Sequence, residues 1–290
     1  TVEIRAKHYL MTASFSKRVF AGIAGLGMAM AAQAANAAVD PSYGGQGTDK
    51  FTLTAGWVFT DLGGSIGING TTDTGTDVDF NPDGGGTNTN SFMASATWRV
   101  ANRHRVSLLW YQTKRDVSYT TQNDIQIGNE LIPAGATASI DLKNDYFFGT
   151  YRYSFIKKDN LELAGLLGLY GSNLKFNFAA SAYPGNPSLS FSTSESTSLP
   201  LPVIGGSFDW YISPRWSANT SLSGMSAKIG DIDGSIWVLT ASTDYMLFHN
   251  FGVGLAYLHT DIDVDVTKKT FNGNLNVNSN SFLIYGVVKF

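Results

Sequence analysis

From Phe51 onward, apolar residues alternate with small or polar ones at a period of two, in one segment after another of about ten residues. In FTLTAGWVF the odd residues Phe51, Leu53, Ala55, Trp57 and Phe59 are apolar, and Thr52, Thr54 and Gly56 fall between them. In FMASATWRV the even set Phe92, Ala94, Ala96, Trp98 and Val100 is apolar, against Met93, Ser95, Thr97 and Arg99. LELAGLLGL, IGGSFDWYI and WSANTSL repeat the arrangement. A period of two puts alternate side chains on opposite faces of a strand, whereas a helix needs about 3.6 residues per turn. The less apolar face is dominated by Gly, Ala, Ser and Thr. Such residues suit the narrow interior of a closed barrel, so the apolar face must look outward.

The connections fall into two kinds. ANRH (101–104), IKKD (156–159), ISP (212–214) and FHN (248–250) are tight. Long connections rich in Gly, Asn, Thr, Ser and Asp fall at 61–87, 120–137, 179–195 and 266–276, with a shorter one at 228–235. Tight and long connections alternate, as they do in transmembrane barrels with short periplasmic turns and long external loops. The expected strands are 49–60, 88–101, 103–119, 138–156, 159–176, 197–212, 214–228, 234–248, 250–266 and 276–290. The fold class is therefore all-β: a transmembrane antiparallel up-and-down barrel of about ten strands, with eight or twelve as the alternatives. The segment GTDVDF (75–80) pairs locally in the first external loop or, with a partner, makes the count twelve. Aromatics form two levels. Phe51, Trp98, Tyr153, Trp210, Trp216, Tyr245, Phe251 and Phe290 lie near tight turns or the C-terminus, and Trp57, Phe59, Trp110 and Tyr257 lie further up. Eight residues at about 3.3 Å each, tilted by about 40°, rise about 20 Å, the height of a lipid-facing band.

Composition removes several functions. Charged residues make up 15% of the 290, with a formal net charge of −3, so there is no basic stripe for nucleic acid. No cysteine is present, which excludes disulfides, thiolate metal sites and cysteine nucleophiles. Residues 1–10 read as an upstream extension. Residues 11–37 read as an export signal, with Lys17 and Arg18 before an apolar run and small residues at AQA and ANA. Residues 38–48 form a short N-terminal segment and 49–290 the barrel. The chain ends SFLIYGVVKF. Phe282, Ile284, Val288 and Phe290 lie on one face, and the ending resembles the C-terminal signal read by the bacterial barrel-assembly machinery. The usual glycine of that signal would fall at Tyr285, whereas here it is Gly286.

Four stretches carry a wider resemblance: TWRVANRHRVSLLWYQTKRD, DIQIGNELIPAGATASIDLKNDYFFGTYRYSF, LPLPVIGG and LFHNFGVGLAYLHTDIDVDV. They resemble a group of Gram-negative outer-membrane β-barrel proteins, over most of residues 50–290. The resemblance implies a barrel in the bacterial outer membrane and ties it to no reaction. The implied partners are outer-membrane lipid and lipopolysaccharide, with the assembly machinery during biogenesis, and the barrel is expected to be a monomer.

Candidate sites follow from the faces. Arg99, Arg105, Arg152, Glu162, Asp209, Asp244 and Lys289 fall on the inner face near the periplasmic end. Charges inside a narrow lumen must pair, so the expectation is a salt-bridged plug, with an ion-selective constriction as the alternative. Asp73, Asp77, Asp79 and Asp83 in the first long loop are a weak candidate for calcium, as are Asp231, Asp233, Asp261, Asp263 and Asp265. None completes a calcium-loop pattern, so no firm metal site and no cofactor are expected. His259 with Asp261, and Asp231 with Asp233, outline a His/Asp plus Asp/Asp constellation that could activate water. The expected function is a non-enzymatic structural or surface-binding barrel. The alternatives are a small-solute channel and a surface protease or lipid-modifying enzyme.

Overall fold

A computed structural model describes residues 47–70, 75–79, 89–127, 129–183, 186–268 and 271–290. The export segment, Asp73 and Asp83 lie outside these residues. The elements are β1 (Phe51–Ile68), β2 (Val78–Asp79), β3 (Thr89–Ala101), β4 (His104–Thr120), β5 (Ile125–Ile127), β6 (Glu130–Ile132), β7 (Thr137–Lys157), β8 (Leu161–Tyr183), β9 (Asn186–Tyr211), β10 (Trp216–Ile229), β11 (Ile232–Met246), β12 (Phe251–Lys268) and β13 (Phe271–Lys289). Strands β1, β3, β4 and β7 to β13 pair antiparallel in chain order, and β13 pairs back onto β1. Ten strands thus close an up-and-down barrel, although β9 pairs with β10 only over Ile204–Tyr211, and its residues 186–203 pair with β8 alone. The two-residue β2 pairs with Ser65 and Ile66 of β1, so GTDVDF does not span. β5 and β6 form a small hairpin within the connection between β4 and β7.

The apolar face looks outward, as the alternation requires. Trp57 is 61% exposed and Phe282 62%, and Leu108, Leu167, Ile204 and Leu255 also lie open on the outer surface. Such side chains are stable only if something other than water covers them.

The strands run further than their apolar alternation. β1 continues to Ile68, β8 to Tyr183 and β12 to Lys268, while β9 begins at Asn186 and β13 at Phe271. The expected loops 179–195 and 266–276 are therefore largely strand among the described residues, and 61–87 is strand over 61–68 and 78–79. The chemistry of the two faces inverts where this happens. On β12 the outward residues are Phe251, Val253, Leu255 and Tyr257, then His259, Asp261, Asp263 and Asp265. The inward residues are Gly252, Gly254 and Ala256, then Leu258, Thr260, Ile262, Val264 and Val266. On β13 the outward set reads Phe290, Val288, Gly286, Ile284 and Phe282, then Asn280, Asn278, Asn276, Asn274 and Asn272. β7 changes between Phe147 and Asp145. The rows align around the barrel: Phe59, Phe282 and Tyr257 are in register, and Asp61, Asn280 and His259 form the next row up.

Two solvents account for the inversion. Below this line the exterior meets lipid and the interior holds polar groups. Above it the exterior meets water, so the barrel obeys the rule of a soluble protein and fills itself with Leu62, Ile66, Ile140, Phe178, Ile262, Val264 and Val277, all buried.

Candidate functional site: the barrel lumen

The seven charged residues expected on the inner face all lie in the lumen near the tight turns. Three arginines stand abreast there. Arg99 is directly opposite Arg105, and Arg105 is opposite Arg152 on the next strand. Like charges so placed repel, and two carboxylates from across the lumen offset this. Glu162, fully buried, lies 3.1 Å from Arg99 and 2.8 Å from Arg105, and accepts from the Ser154 hydroxyl at 3.1 Å. Lys157, in the tight connection IKKD, joins Glu162 at 3.2 Å and donates to the carbonyl of Gly47 at 3.1 Å. Asp209 pairs with Arg105 and accepts from the Asn219 amide at 2.7 Å. Glu162 and Asp209 are neighbours in register on β8 and β9.

Asp244 and Lys289 form a second pair at 2.9 Å. The Tyr285 hydroxyl donates to Asp244 at 2.8 Å. Gly254 stands in register with both Asp244 and Tyr285. A Cβ on Gly254 would come within 2.3 Å of the Tyr285 ring, so glycine is what lets the ring cross to its partner. Asp49 also lines this end of the lumen.

The charges face a cavity of about 270 Å³, lined by hydroxyls including Ser95, Thr97, Ser107 and Thr150 and by Arg99, Arg105, Arg152, Asp209, Asp244 and Lys289. Hydroxyl pairs cross between strands: Thr54 with Ser95 at 2.6 Å, and Thr97 donating to Ser107 at 2.9 Å. Higher still, the interior is crossed by rings that the sequence reading did not assign. Tyr111 stacks on Tyr146 with centroids 4.6 Å apart, and Tyr170 stands 5.9 Å from Tyr146 and 6.0 Å from Phe148. Their signal was parity: Tyr111 alternates with outward Trp110, and Tyr146 with outward Phe147. The apolar core closes the interior above the tyrosines.

The other candidates are dispersed. Phe282, Ile284 and Phe290 are exposed on the lipid face and Val288 partly so. The backbone of Phe290 bonds both ways with Phe51. Asp77 accepts from the Asn274 amide at 2.8 Å, and Asp79 lies on β2. Among the described residues no group of three metal-binding side chains converges. Asp233 is opposite Asp265, whereas His259 is opposite Leu239 and Asn280. His259 thus lies six residues below Asp233, about 20 Å along the strand, and its ring meets the Asn280 side chain at 3.0 Å. The register sets the His259/Asp261 pair and the Asp231/Asp233 pair at different heights on β12 and the β10–β11 hairpin.

Comparison with known proteins agrees on fold. No protein family and no curated protein matches the sequence. Among solved structures, the outer membrane protease OmpT from Escherichia coli is similar with a TM-score of 0.55 at 9% identity, covering 83% of this chain and 96% of that one. Ail, the attachment invasion locus protein of Yersinia pestis, aligns over 83% of this chain and 99% of its own at 14% identity, with a TM-score of 0.32. OprG from Pseudomonas aeruginosa aligns over 83% and 96% at 13% identity, with a TM-score of 0.34. At 9% identity the likeness to OmpT is one of architecture. With its lipid-facing belt, closed ring and alternating short and long connections, this chain has the fold of the Gram-negative outer-membrane β-barrel proteins.

Proposed function

We propose that this chain is an integral outer-membrane protein that works as a closed barrel, with a structural or surface-binding role and no enzymatic activity. The observation that carries the reading is the filling of the lumen at three successive heights: the ion-paired cluster, the Tyr111–Tyr146–Tyr170 layer and the apolar core. A solute passing through would have to break buried ion pairs and then displace packed apolar side chains. The separation of His259 from Asp233 favours a non-catalytic surface over the protease alternative. Its surroundings in this reading are outer-membrane lipid and lipopolysaccharide. The outward carboxylates of β11 and β12 lie above the lipid belt, where divalent cations would bridge them to lipid phosphates.

Planar-bilayer recording of the purified, refolded protein tests the reading. The expected outcome is an absence of stable open events. A steady conductance of hundreds of picosiemens would replace it with the small-solute channel.

A further inference from the structure

We infer that the lumen cavity is a binding site for a small oxyanion, of the class of inorganic phosphate or a short carboxylate, held by Arg152 and Ser107. The argument begins with charge. Five cations (Arg99, Arg105, Arg152, Lys157 and Lys289) share this end of the lumen with four carboxylates, Asp49 among them, which leaves one positive charge over. Geometry identifies which cation is left. Glu162 serves Arg99, Arg105 and Lys157, Asp209 serves Arg105, and Asp244 serves Lys289. Among the described residues, no carboxylate lies within ion-pair distance of Arg152.

The surroundings of Arg152 are those of a donor without its acceptor. Its Nη2 donates to the Ser107 hydroxyl oxygen at 2.9 Å, and its Nε is buried with no hydrogen-bond partner. A guanidinium has five N–H donors and no acceptor; the Nε atoms of Arg99 and Arg105 are likewise without a partner, but those two residues have carboxylates at their Nη atoms, whereas Arg152 has only a hydroxyl there. Ser107 strengthens the case. Its oxygen accepts from both Arg152 and Thr97, at 2.9 Å each, so its own proton is left to donate elsewhere. Both groups, with Thr150, line the same cavity; Asp49, Asp209 and Asp244 line it too, so the anion's place is beside Arg152, Ser107 and Thr150, and about 270 Å³ is ample for one small anion with water. An ion seated there would also relieve the repulsion between Arg152 and Arg105, which face each other across β4 and β7.

The test is thermal unfolding of the folded protein in non-ionic detergent, followed by tryptophan fluorescence, with sodium phosphate titrated against sodium chloride at matched ionic strength. The expected result is a saturable rise in melting temperature with phosphate, lost in Arg152→Gln. Ser107→Ala, which keeps every charge, should raise the half-saturating concentration several-fold, the weight of one hydrogen bond. It decides the matter if Arg152→Gln does not fold. A rise that follows ionic strength alone, or that is the same in wild type and both variants, overturns the site. Conductance is a separate readout: an open channel with a saturable, Arg152-dependent phosphate shift would retain the anion site and remove only the closed-barrel reading.

Discussion

Replacing Glu162 by alanine is the most informative single perturbation of this barrel. Glu162 is fully buried and lies within 3.2 Å of three cations, Arg99, Arg105 and Lys157. Its removal leaves Arg99 and Lys157 without the carboxylate they pair with in the cluster, and Arg105 with Asp209 alone. Breaking a buried ion pair from one side costs about 3–5 kcal/mol, because the remaining charge stays desolvated. Water in the neighbouring cavity pulls the figure toward the lower end, so we expect about 3 kcal/mol, roughly a hundredfold in the unfolding equilibrium. Asp231→Ala, at an exposed position on the outer hairpin, is the control and should stay within about 0.5 kcal/mol. Urea unfolding in lipid vesicles, read by tryptophan fluorescence and by the heat-dependent gel mobility of folded barrels, measures both. Equal midpoints for Glu162→Ala and Asp231→Ala would refute the idea that the cluster is dry and mutually dependent. A double replacement of Arg105 and Glu162 by methionine should not recover the loss, because it strands Asp209 while Arg99 and Lys157 still lack Glu162.

Three further outcomes follow from the two-solvent barrel. Ile262→Ala in the upper core should cost about 2–4 kcal/mol in the same urea assay, while the adjacent outward Asp263→Ala should cost less than about 0.5. Leu255→Arg places a charge within the lipid belt and should destabilise by about 2–4 kcal/mol, whereas Asp265→Arg, on the same face of β12 but above the belt, should be tolerated. Deleting Phe290, whose backbone closes onto Phe51, should reduce the yield of folded barrel in the outer-membrane fraction; unchanged insertion would remove its reading as an assembly signal.

The lower half of the barrel was legible in the sequence because lipid outside and small residues inside give an unambiguous alternation. FTLTAGWVF and FMASATWRV sit in register with their faces as the pattern required. Parity alone brought Arg99, Glu162 and Asp209 together across three strands. The upper half was not legible for a physical reason. Its outward residues are Asn272, Asn274, Asp263, Lys143 and their like, the residues of loops, and its inward alternation of Ile and Val is interrupted by Gly and Ser. Strand and loop then share a composition, so 266–276 read as a loop where β12 and β13 continue. Lys157 was missed because it sits at the last position of its strand, where turn composition hides parity. Tyr111, Tyr146 and Tyr170 carry parity as their one signal, since a tyrosine suits either face of a membrane strand.

The inversion of the two faces has a mechanical meaning as well. The row of Phe59, Phe282 and Tyr257, with Asp61, Asn280 and His259 directly above it, acts as a waterline drawn on the hull of the barrel. Sinking by one row, about 5 Å, would drag a ring of carboxylates, amides and a histidine toward hydrocarbon at up to about 1 kcal/mol for each charge, and rising would strip the aromatics from the interface. The protein therefore floats at one draught. From Asn280 to Phe271 the wall continues for nine residues of strand, about 25 Å of freeboard. The strand residues above the waterline are thereby held at a constant height over the lipid.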